Sequence, residues 1–405
     1  MTSPFLKNVN KQFSKASKLL KLSEVNRKIL YIPNKILISK LLIKSDEGKL
    51  LMFPAFRVQH NNSRGPYKGG IRFHPDVHLE EAKALALLMS LKCSIANIPL
   101  GGAKGAIKVN SKTLTDNEIK RLSKAYVHSF FNNIGPQKDI PAPDVCTNEK
   151  IMDVMEKEYS QLAGIKTPAV ITGKSLKNGG SLGRESATAM GGYFVIKNAI
   201  KSLGIKNRKI TVAIQGFGNA GCHIAKILEN DKKFKVLAIS NSKGGIYNKE
   251  GLKVNSIKKD KAGNIKNKNI TNRQLLESDV DILIPAALEN QITENNASKI
   301  KAKIIAELAN GPVTFEADTI LNKKKVMVLP DILTNAGGVV VSYFEWLQNI
   351  KNEKWTEDVV HQELEHKMCS AFDEVIKVKN NYKTTLRTAS YLLAISKLMQ
   401  TENLT

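Results

Sequence analysis

The chain has 405 residues, 42% of them hydrophobic, and its 62 basic and 37 acidic residues give a formal net charge of +25. That length exceeds one ordinary hydrophobic core and predicts two domains. The longest apolar stretches, at 35–43 and 85–90, are too short or too charged to cross a bilayer, so we expect no membrane association. The basic residues are dispersed and form no arginine-rich stripe with aromatic residues, so we expect no nucleic-acid partner.

The first thirty residues are rich in lysine and have apolar residues at helical spacing. A transit peptide shares these features, but acidic Glu24 and a single arginine favour an amphipathic first helix of the mature protein. The four cysteines of the chain lie far apart, without CxxC or Cys/His metal-binding spacing. They are typical of reduced thiols, so we expect a cytoplasmic location and no bound metal.

The first part of the chain predicts a mixture of strands and helices. Two apolar, β-branched runs within residues 35–60 flank a turn signal and predict a hairpin. Apolar residues spaced three and four apart over 79–98 predict a helix that carries Lys92. A capping-box pattern opens a helix predicted over 116–133.

Two polar residues in this part stand beside glycines or prolines. Lys104 follows a double glycine at 101–102 and precedes a short strand predicted over 105–110. Asp144 follows two prolines, which predicts a loop with little backbone freedom. Together these elements predict a mixed α/β substrate domain.

The second part of the chain has a different order of predicted strands and helices. A glycine-rich segment at 172–188 indicates the crossing into a second domain and is followed by a helix predicted over 189–203. Short β-rich runs then alternate with helical runs as far as residue 330, which predicts a mostly parallel, doubly wound, Rossmann-like sheet. From Ser342 the pattern is helical to the end.

The segment GFGNAG at 216–221 directly follows a predicted strand and directly precedes a predicted helix, which is the context of a dinucleotide-binding loop. Gly216 permits the tight turn, Gly218 lets the backbone approach a pyrophosphate, and Gly221 allows close packing of the helix. The helix N-terminus would then face the phosphates. The candidate residues of this loop are Gly216, Phe217, Gly218, Asn219, Ala220 and Gly221.

The end of the second predicted strand of this sheet bears on the choice of cofactor. Asn241 stands where an acidic residue usually binds the adenosine ribose, and Ser242 and Lys243 follow it. Without a negative charge at this point, a 2′-phosphate is not repelled. The pattern predicts use of NADP or NAD, with NADP slightly favoured.

Lys68 in PYKGGIRFH, Lys92 in LLMSLKCS, Lys104 in PLGGAKGA and Asp144 in DIPAPDV all precede the glycine-rich loop. In order and spacing these motifs resemble those of the glutamate dehydrogenase family, whose members act on glutamate, leucine, phenylalanine or valine. The resemblance runs from end to end. It implies a homohexamer that oxidatively deaminates L-glutamate to 2-oxoglutarate and ammonium with NAD(P), and catalyses the reverse reaction.

The resemblance also implies roles for single residues. Lys68 and Ser342 would bind the substrate side-chain carboxylate, and Lys92 the α-carboxylate. Lys104 would be the catalytic lysine and Asp144 the proton carrier. The remaining implied contacts are Ala142, Thr172 and Val339 around the substrate and Thr188, Asn310 and Asn335 along the cofactor.

We expect a substrate domain of residues 1–183, joined by C-terminal helices at about 376–405, and a dinucleotide-binding domain of residues 184–375. A leucine, phenylalanine or valine dehydrogenase is the main alternative, but an apolar substrate would favour an aliphatic residue in place of Ser342. A catalytically silent regulatory relative is a second alternative, which the intact Lys104 and Asp144 disfavour.

Overall fold

The computed structural model describes residues 4–205, 208–260 and 263–404, and within them the chain forms two β-sheets with helices packed on both. The elements of the first part are α1 (Pro4–Leu19), α2 (Glu24–Tyr31), β1 (Lys35–Lys44), β2 (Leu50–Asn61), β3 (Tyr67–Phe73), α3 (Leu79–Ile95), β4 (Gly102–Ile107), α4 (Asp116–Phe130), β5 (Asp139–Pro143) and α5 (Glu149–Ala163). Those of the second part are α6 (Ala187–Ser202), β6 (Ile210–Gln215), α7 (Asn219–Asn230), β7 (Phe234–Asn241), β8 (Gly244–Tyr247), α8 (Asn272–Leu276), β9 (Ile282–Pro285), β10 (Ile304–Ala306), α9 (Phe315–Lys323), β11 (Met327–Leu329), α10 (Asp331–Thr334), α11 (Gly337–Lys351), α12 (Glu357–Asn381) and α13 (Leu386–Thr401).

The first sheet has the strand order β1-β2-β4-β3-β5. The predicted hairpin is confirmed, since β1 pairs antiparallel with β2 across a turn in which Gly48 has a φ of +84°. Strand β3 lies between β4 and β5 and runs parallel to both. The predicted helix carrying Lys92 is α3, and the capping box of Thr115 and Glu118 does begin α4.

Two details of this sheet differ from the sequence-based prediction. Lys104 does not precede the strand but lies inside β4, which begins at Gly102. The prolines before Asp144 are not in a loop but in β5. Strand β5 is at the edge of the sheet, where a proline without an N–H group leaves no ladder partner unsatisfied.

The second sheet has the order β11-β10-β9-β6-β7-β8 and confirms the doubly wound, Rossmann-like prediction. The pairs from β11 to β7 are parallel, and their strands are buried. Only β8, which the sequence did not predict, runs antiparallel at the edge. Strand β6 lies in the middle of the sheet, and the glycine-rich loop follows it directly.

The helices that follow β11 tie the two parts together. Helix α11 packs on α6, α13 packs on both α12 and α3, and α1 packs on α13. The expected domain borders near residues 183 and 376 stay predictions. Among the described residues, none of the helices combines the length and the apolar character needed to span a bilayer.

Candidate active site

One face of the first sheet gathers the charged residues of the site. Gly70 of β3 is level with Ala142 of β5, and the next residue, Ile71, is level with Gly105 of β4. Side chains alternate between the faces of a sheet with a period of two. Lys68 and Arg72 of β3, Lys104 of β4 and Asp144 just after β5 therefore project from the same face, on three adjacent strands.

Glycines let the neighbouring elements come close enough for these side chains to meet. A Cβ on Gly69 would lie 1.7 Å from the carbonyl oxygen of Ala103, and one on Gly70 would lie 2.8 Å from the Cβ of Asp144. A Cβ on Gly102 would lie 2.2 Å from the backbone nitrogen of Ser90, so α3 packs directly on β4. The double glycines thus bring the helix of Lys92 onto the sheet of Lys104.

Lys104 and Asp144 form an ion pair in the cleft. The ammonium of Lys104, which is 6% exposed, donates a hydrogen bond to Oδ2 of Asp144. Burial would raise the pKa of the Asp144 carboxyl, but Lys104 and Arg72 outweigh burial and hold that pKa well below its usual range. Burial lowers the pKa of Lys104 below its ordinary value, although Asp144 raises it. The pair is therefore a carboxylate and an amine that gives up its proton more readily than an exposed lysine.

Lys68 is buried, and its ammonium donates to the carbonyl oxygen of Ile140 at 3.3 Å. Burial, reinforced by repulsion from Arg184, lowers the pKa of Lys68 to about 7. Ser342 of α11 lines the same cavity, and its hydroxyl lies 2.6 Å from that of Thr172. The cavity thus contains cationic and hydroxyl groups that a carboxylate can bind.

Lys92 lies in the last turn of α3, and its ammonium donates to Oδ1 of Asn310 at 2.6 Å. Asn335 donates to the same oxygen at 3.1 Å. Burial lowers the pKa of Lys92 to about 8, and Asp331 opposes that effect. Helix α3 thus connects, through Asn310, to the chain that follows β10 of the second sheet.

A cavity of about 210 Å³ contains most of the residues predicted to touch the substrate or the nicotinamide. Of the predicted set, those that line it are Lys68, Lys92, Lys104, Ala142, Asp144, Thr188, Asn310, Asn335, Val339 and Ser342. Thr172 lies behind Ser342, to which it is hydrogen-bonded. Their roles stay predictions, but the structure brings these residues together.

Arg184, Met89 and Arg72 belong to the site but were not predicted from the sequence. Arg184 and Met89 line the cavity, and Nε of Arg184 has no hydrogen-bond acceptor among the described residues. Arg72 donates to Asp144 at 2.8 Å. Glu345 of α11 was not predicted either; it is buried and forms an ion pair with Lys174 at 2.8 Å. Arg72 and Met89 stand within motifs that carry predicted residues, but no local pattern separates them from surface or core residues.

The glycine-rich loop has the geometry expected of a dinucleotide cradle. Gly216 has a φ of +103°, and a Cβ on Gly221 would lie 1.9 Å from the carbonyl oxygen of Gly216. Gly218 is the N-cap of α7, and a Cβ built there meets nothing within 4 Å, so that side of the loop is open to a ligand. Asn219, Ala220 and Gly221 form the first turn of α7, whose amides fit a pyrophosphate.

The predicted adenosine end of this site lies where β7 ends. Ser242 and Lys243 line a cavity of about 470 Å³ together with Lys268 of the segment that precedes α8. The side chain of Asn241 contacts its own loop, since its Oδ1 accepts a hydrogen bond from the backbone nitrogen of Lys243 at 3.0 Å. Phe217 of the glycine-rich loop has the ammonium of Lys259 above its ring, 4.3 Å from the centroid.

Two family models match the chain. The model described as Glu/Leu/Phe/Val dehydrogenase, dimerisation domain, matches residues 33–161. The model described as Glutamate/Leucine/Phenylalanine/Valine dehydrogenase matches residues 179–405.

Individual relatives are similar over nearly their whole length. A glutamate dehydrogenase of Thermotoga maritima is 46% identical over 393 residues, which cover 96% of this chain and 94% of that protein. A catabolic NAD-specific glutamate dehydrogenase of Bacillus subtilis is 47% identical over 370 residues, 90% of this chain and 87% of that one. The solved structure of a hetero-hexameric glutamate dehydrogenase of Thermus thermophilus is 30% identical, with a TM-score of 0.94 over 99% of this chain and 97% of that chain. This chain therefore belongs to the Glu/Leu/Phe/Val dehydrogenase family.

Proposed function

We propose that the protein is a glutamate dehydrogenase, which converts L-glutamate, water and NAD(P)⁺ into 2-oxoglutarate, ammonium, NAD(P)H and a proton, and catalyses the reverse reaction. The observation that carries this proposal is the convergence of Lys68, Lys92, Lys104 and Asp144 on one cavity that Ser342 also lines. Three lysines suit a substrate with two carboxylates, and the carboxylate beside Lys104 suits proton transfer to and from its nitrogen. The names of the relatives from Thermotoga and Bacillus support the same activity.

The cavity suggests how glutamate binds. Lys68, Arg184 and the hydroxyl of Ser342 bind the side-chain carboxylate, while Lys92 binds the α-carboxylate. Ala142 and Val339 form apolar walls beside the carbon chain. Because the cations at the two ends come from different elements, they fix both the position and the direction of the substrate.

Lys104 and Asp144 act on the α-carbon and its nitrogen. In the deamination direction the Asp144 carboxylate accepts a proton from the α-ammonium group, which leaves the nitrogen lone pair free to drive loss of hydride from the α-carbon. Lys104, in its neutral form, then takes a proton from the water that attacks the imine carbon. Asp144 returns its proton to the nitrogen as the carbon–nitrogen bond breaks, so that ammonia leaves, and the remaining hydroxyl proton is released to solvent as the carbonyl forms. The proton held by Lys104 converts the ammonia to ammonium.

A nicotinamide dinucleotide bound beside this cavity would supply the hydride acceptor for deamination and the hydride donor for the reverse reaction. The glycine-rich loop and the first turn of α7 would hold its pyrophosphate, and Thr188, Asn310 and Asn335, which line the substrate cavity, would hold its nicotinamide end. These side chains orient the ring, and the walls of the cleft exclude bulk water from the imine.

We propose NAD as the main cofactor, with NADP also accepted. The sequence slightly favoured NADP, but the relative from Bacillus subtilis is named as NAD-specific. An uncharged Asn241 suits dual use, because it neither repels a 2′-phosphate nor prevents a hydrogen bond to a ribose hydroxyl. Asn241→Asp should lower kcat/KM for NADP by about tenfold and leave that for NAD nearly unchanged, since a carboxylate repels a nearby phosphate. An unchanged cofactor ratio would place the selectivity elsewhere.

The alternative substrates leucine, phenylalanine and valine fit this cavity less well. They would leave the buried Lys68 and Ser342 and the partly buried Arg184 without a ligand carboxylate, and unpaired buried polar groups are costly.

We also propose a homohexamer in the cytoplasm. Strand β1 is at a sheet edge, and an exposed apolar surface formed by Ile36, Ile38 and Leu42 of β1 with Leu50 and Met52 of β2 favours an interface. The relative from Thermus thermophilus is described as a hetero-hexamer. All four cysteines lie in the described part of the chain and are free thiols, which suits a reducing compartment.

The test of the proposed function is a product balance. Purified protein incubated with L-glutamate and NAD should form 2-oxoglutarate, ammonium and NADH in equal amounts, and Lys104→Met should abolish all three. Failure of the correctly folded wild-type protein to reduce NAD or NADP with glutamate would refute the proposal.

A further inference from the structure

Behind the Lys104–Asp144 pair lies a second ion pair, between Arg72 of β3 and Glu81 of α3. Nε of Arg72 donates to Oδ1 of Asp144 at 2.8 Å, and NH1 of the same guanidinium donates to Oε1 of Glu81. Lys104 donates to the other oxygen of Asp144, Oδ2. Each carboxylate oxygen of Asp144 is thus held by a cation from a different strand.

The backbone of Asp144 is fixed from the same side. Its N–H donates to the hydroxyl of Thr147 at 2.7 Å, and that hydroxyl lies 2.9 Å from the carbonyl oxygen of Ile71, the residue before Arg72. Gly70 packs against the Cβ of Asp144. Strand β3 contacts the Cβ and the carboxylate of Asp144 directly and reaches its backbone through Thr147, so the carboxylate cannot turn without moving Arg72.

We propose that Arg72 and Glu81 are positioning residues for the reaction: Arg72 holds Oδ1 of Asp144 so that Oδ2 stays directed at Lys104 and the substrate nitrogen, and Glu81 holds Arg72 and offsets part of its positive charge. This inference rests on the proposed glutamate dehydrogenase function. Neither residue is required to touch the substrate. Their effect passes through Asp144 and Lys104.

The charges around the pair come from several elements. Arg72 of β3, Glu81 and Lys92 of α3, and Asp144 all act on Lys104 or lie beside it, and Glu289, which follows β9, acts on Arg72. After burial and Asp144, Arg72 lowers the pKa of Lys104, and Glu81 raises it. Neutralising Arg72 should therefore raise the pKa of Lys104, and neutralising Glu81 should lower it.

The sign of the effect on catalysis follows from the role of Lys104. In deamination the neutral amine takes the proton from water, so kcat rises with pH as Lys104 loses its own proton. With Arg72→Gln the rising limb of the pH–kcat profile should move to higher pH. With Glu81→Gln it should move to lower pH. A shift of roughly half a unit to one unit is expected from a charge one ion pair away.

The experiment measures the pH dependence of kcat and KM for glutamate deamination in the wild-type protein, Arg72→Gln, Arg72→Lys, Glu81→Gln and Glu80→Gln. Glu80 is the matched control, because it adjoins Glu81 on α3 but pairs with Lys83 at 2.6 Å. Arg72→Lys keeps the charge but cannot bridge two carboxylates with separate nitrogens. It should keep the limb near its wild-type position and recover about tenfold of the roughly 10²-fold loss of kcat in Arg72→Gln.

Opposite shifts for Arg72→Gln and Glu81→Gln, with KM for glutamate changed less than threefold and Glu80→Gln unshifted, would support the proposal. Limbs that stay at the wild-type pH, or that move in the same direction, would overturn it. If Arg72→Gln lowers the melting temperature too far for assay, Arg72→Lys and Glu81→Gln decide the question: a full kcat in Arg72→Lys with no shift in Glu81→Gln overturns it. A wild-type protein that does not oxidise glutamate would refute the proposed function itself.

Discussion

Asp144 is the residue on which the proton transfers depend. Asp144→Asn should lower kcat for glutamate deamination by about 10²-fold or more, because an amide cannot accept the proton that the substrate nitrogen must lose. KM should change little, since the lysines that bind the carboxylates remain. Steady-state kinetics test this prediction. Asp46→Asn is the control, because Asp46 lies on the hairpin turn and pairs with Arg121 of α4. Turnover near the wild-type rate in folded Asp144→Asn would refute the role.

Lys68 should make glutamate binding dependent on pH. With a pKa of about 7 in the free protein, Lys68 is mostly neutral at about pH 8, and an arriving carboxylate raises that pKa. The protein should therefore take up more protons when it binds glutamate than when it binds leucine, which lacks the second carboxylate. Calorimetry without oxidised cofactor, in two buffers of different ionisation enthalpy, measures the uptake.

Lys68→Met is the control for that measurement. Since methionine does not titrate, the difference in proton uptake between glutamate and leucine should disappear in this variant. An equal uptake for both ligands in the wild-type protein would contradict binding of the side-chain carboxylate at Lys68.

At the residue scale, the motifs predicted the members of the site well but not their partners. Lys68, Lys92, Lys104 and Asp144 are recognisable because each stands in a distinctive motif. The roles of Arg184 and Arg72 could not be predicted, because they depend on contacts between residues distant in sequence. Arg184 acts on Lys68, and Arg72 binds Asp144. The sequence alone does not indicate which charged partner such a residue will have in the folded protein.

At the level of single elements, the glycine-rich loop separates two roles of glycine. Gly221→Ala should lower the melting temperature, because its Cβ would lie 1.9 Å from the carbonyl oxygen of Gly216 and overpacking of this kind costs about 1–3 kcal/mol. Gly218→Ala meets no protein atom within 4 Å, so it should keep the melting temperature and raise KM for NAD. Thermal unfolding and cofactor titration of both variants test this. A reversal of the two effects would show that the loop holds the cofactor differently.

Strand prediction failed where the neighbours of a strand decide its length. Lys104 was placed before its strand, but β4 begins at Gly102, where the missing side chain allows α3 to pack on the strand. Pro141 and Pro143 were placed in a loop, but an edge position lets them pair with β3 as a strand. Edge positions and helix contacts are properties of the assembled sheet, which local sequence does not specify.

The whole molecule offers one test of assembly. Ile38 and Leu42 of β1 are 64% and 54% exposed, and we expect them to be covered in the oligomer. Ile38→Asp with Leu42→Asp should reduce the mass measured by light scattering, since two charges in an apolar interface cost several kcal/mol. Ile165→Asp, in the loop after α5, is a control for an exposed apolar residue outside this surface. An unchanged mass in the double variant would exclude β1 from the interface.

The course of the C-terminal helices could not be derived from composition or spacing. Arg387 of α13 binds Glu307, which directly follows β10, and Asp318 of α9, although α13 also packs on α3. One helix thus contacts both parts of the molecule, and periodicity alone cannot assign it to either. The Rossmann-like sheet was predictable because short β-rich runs alternate with helical runs after residue 188, and the glycine-rich loop follows the first of those runs.

The ratio of kcat/KM for L-glutamate to that for L-leucine, measured on the wild-type protein with NAD, tests the central claim most directly. Leucine has no side-chain carboxylate to bind Lys68, Arg184 and Ser342. We therefore predict that glutamate is favoured by about 10³-fold or more. A ratio near one, or a preference for leucine, would contradict the assignment of this cavity to glutamate.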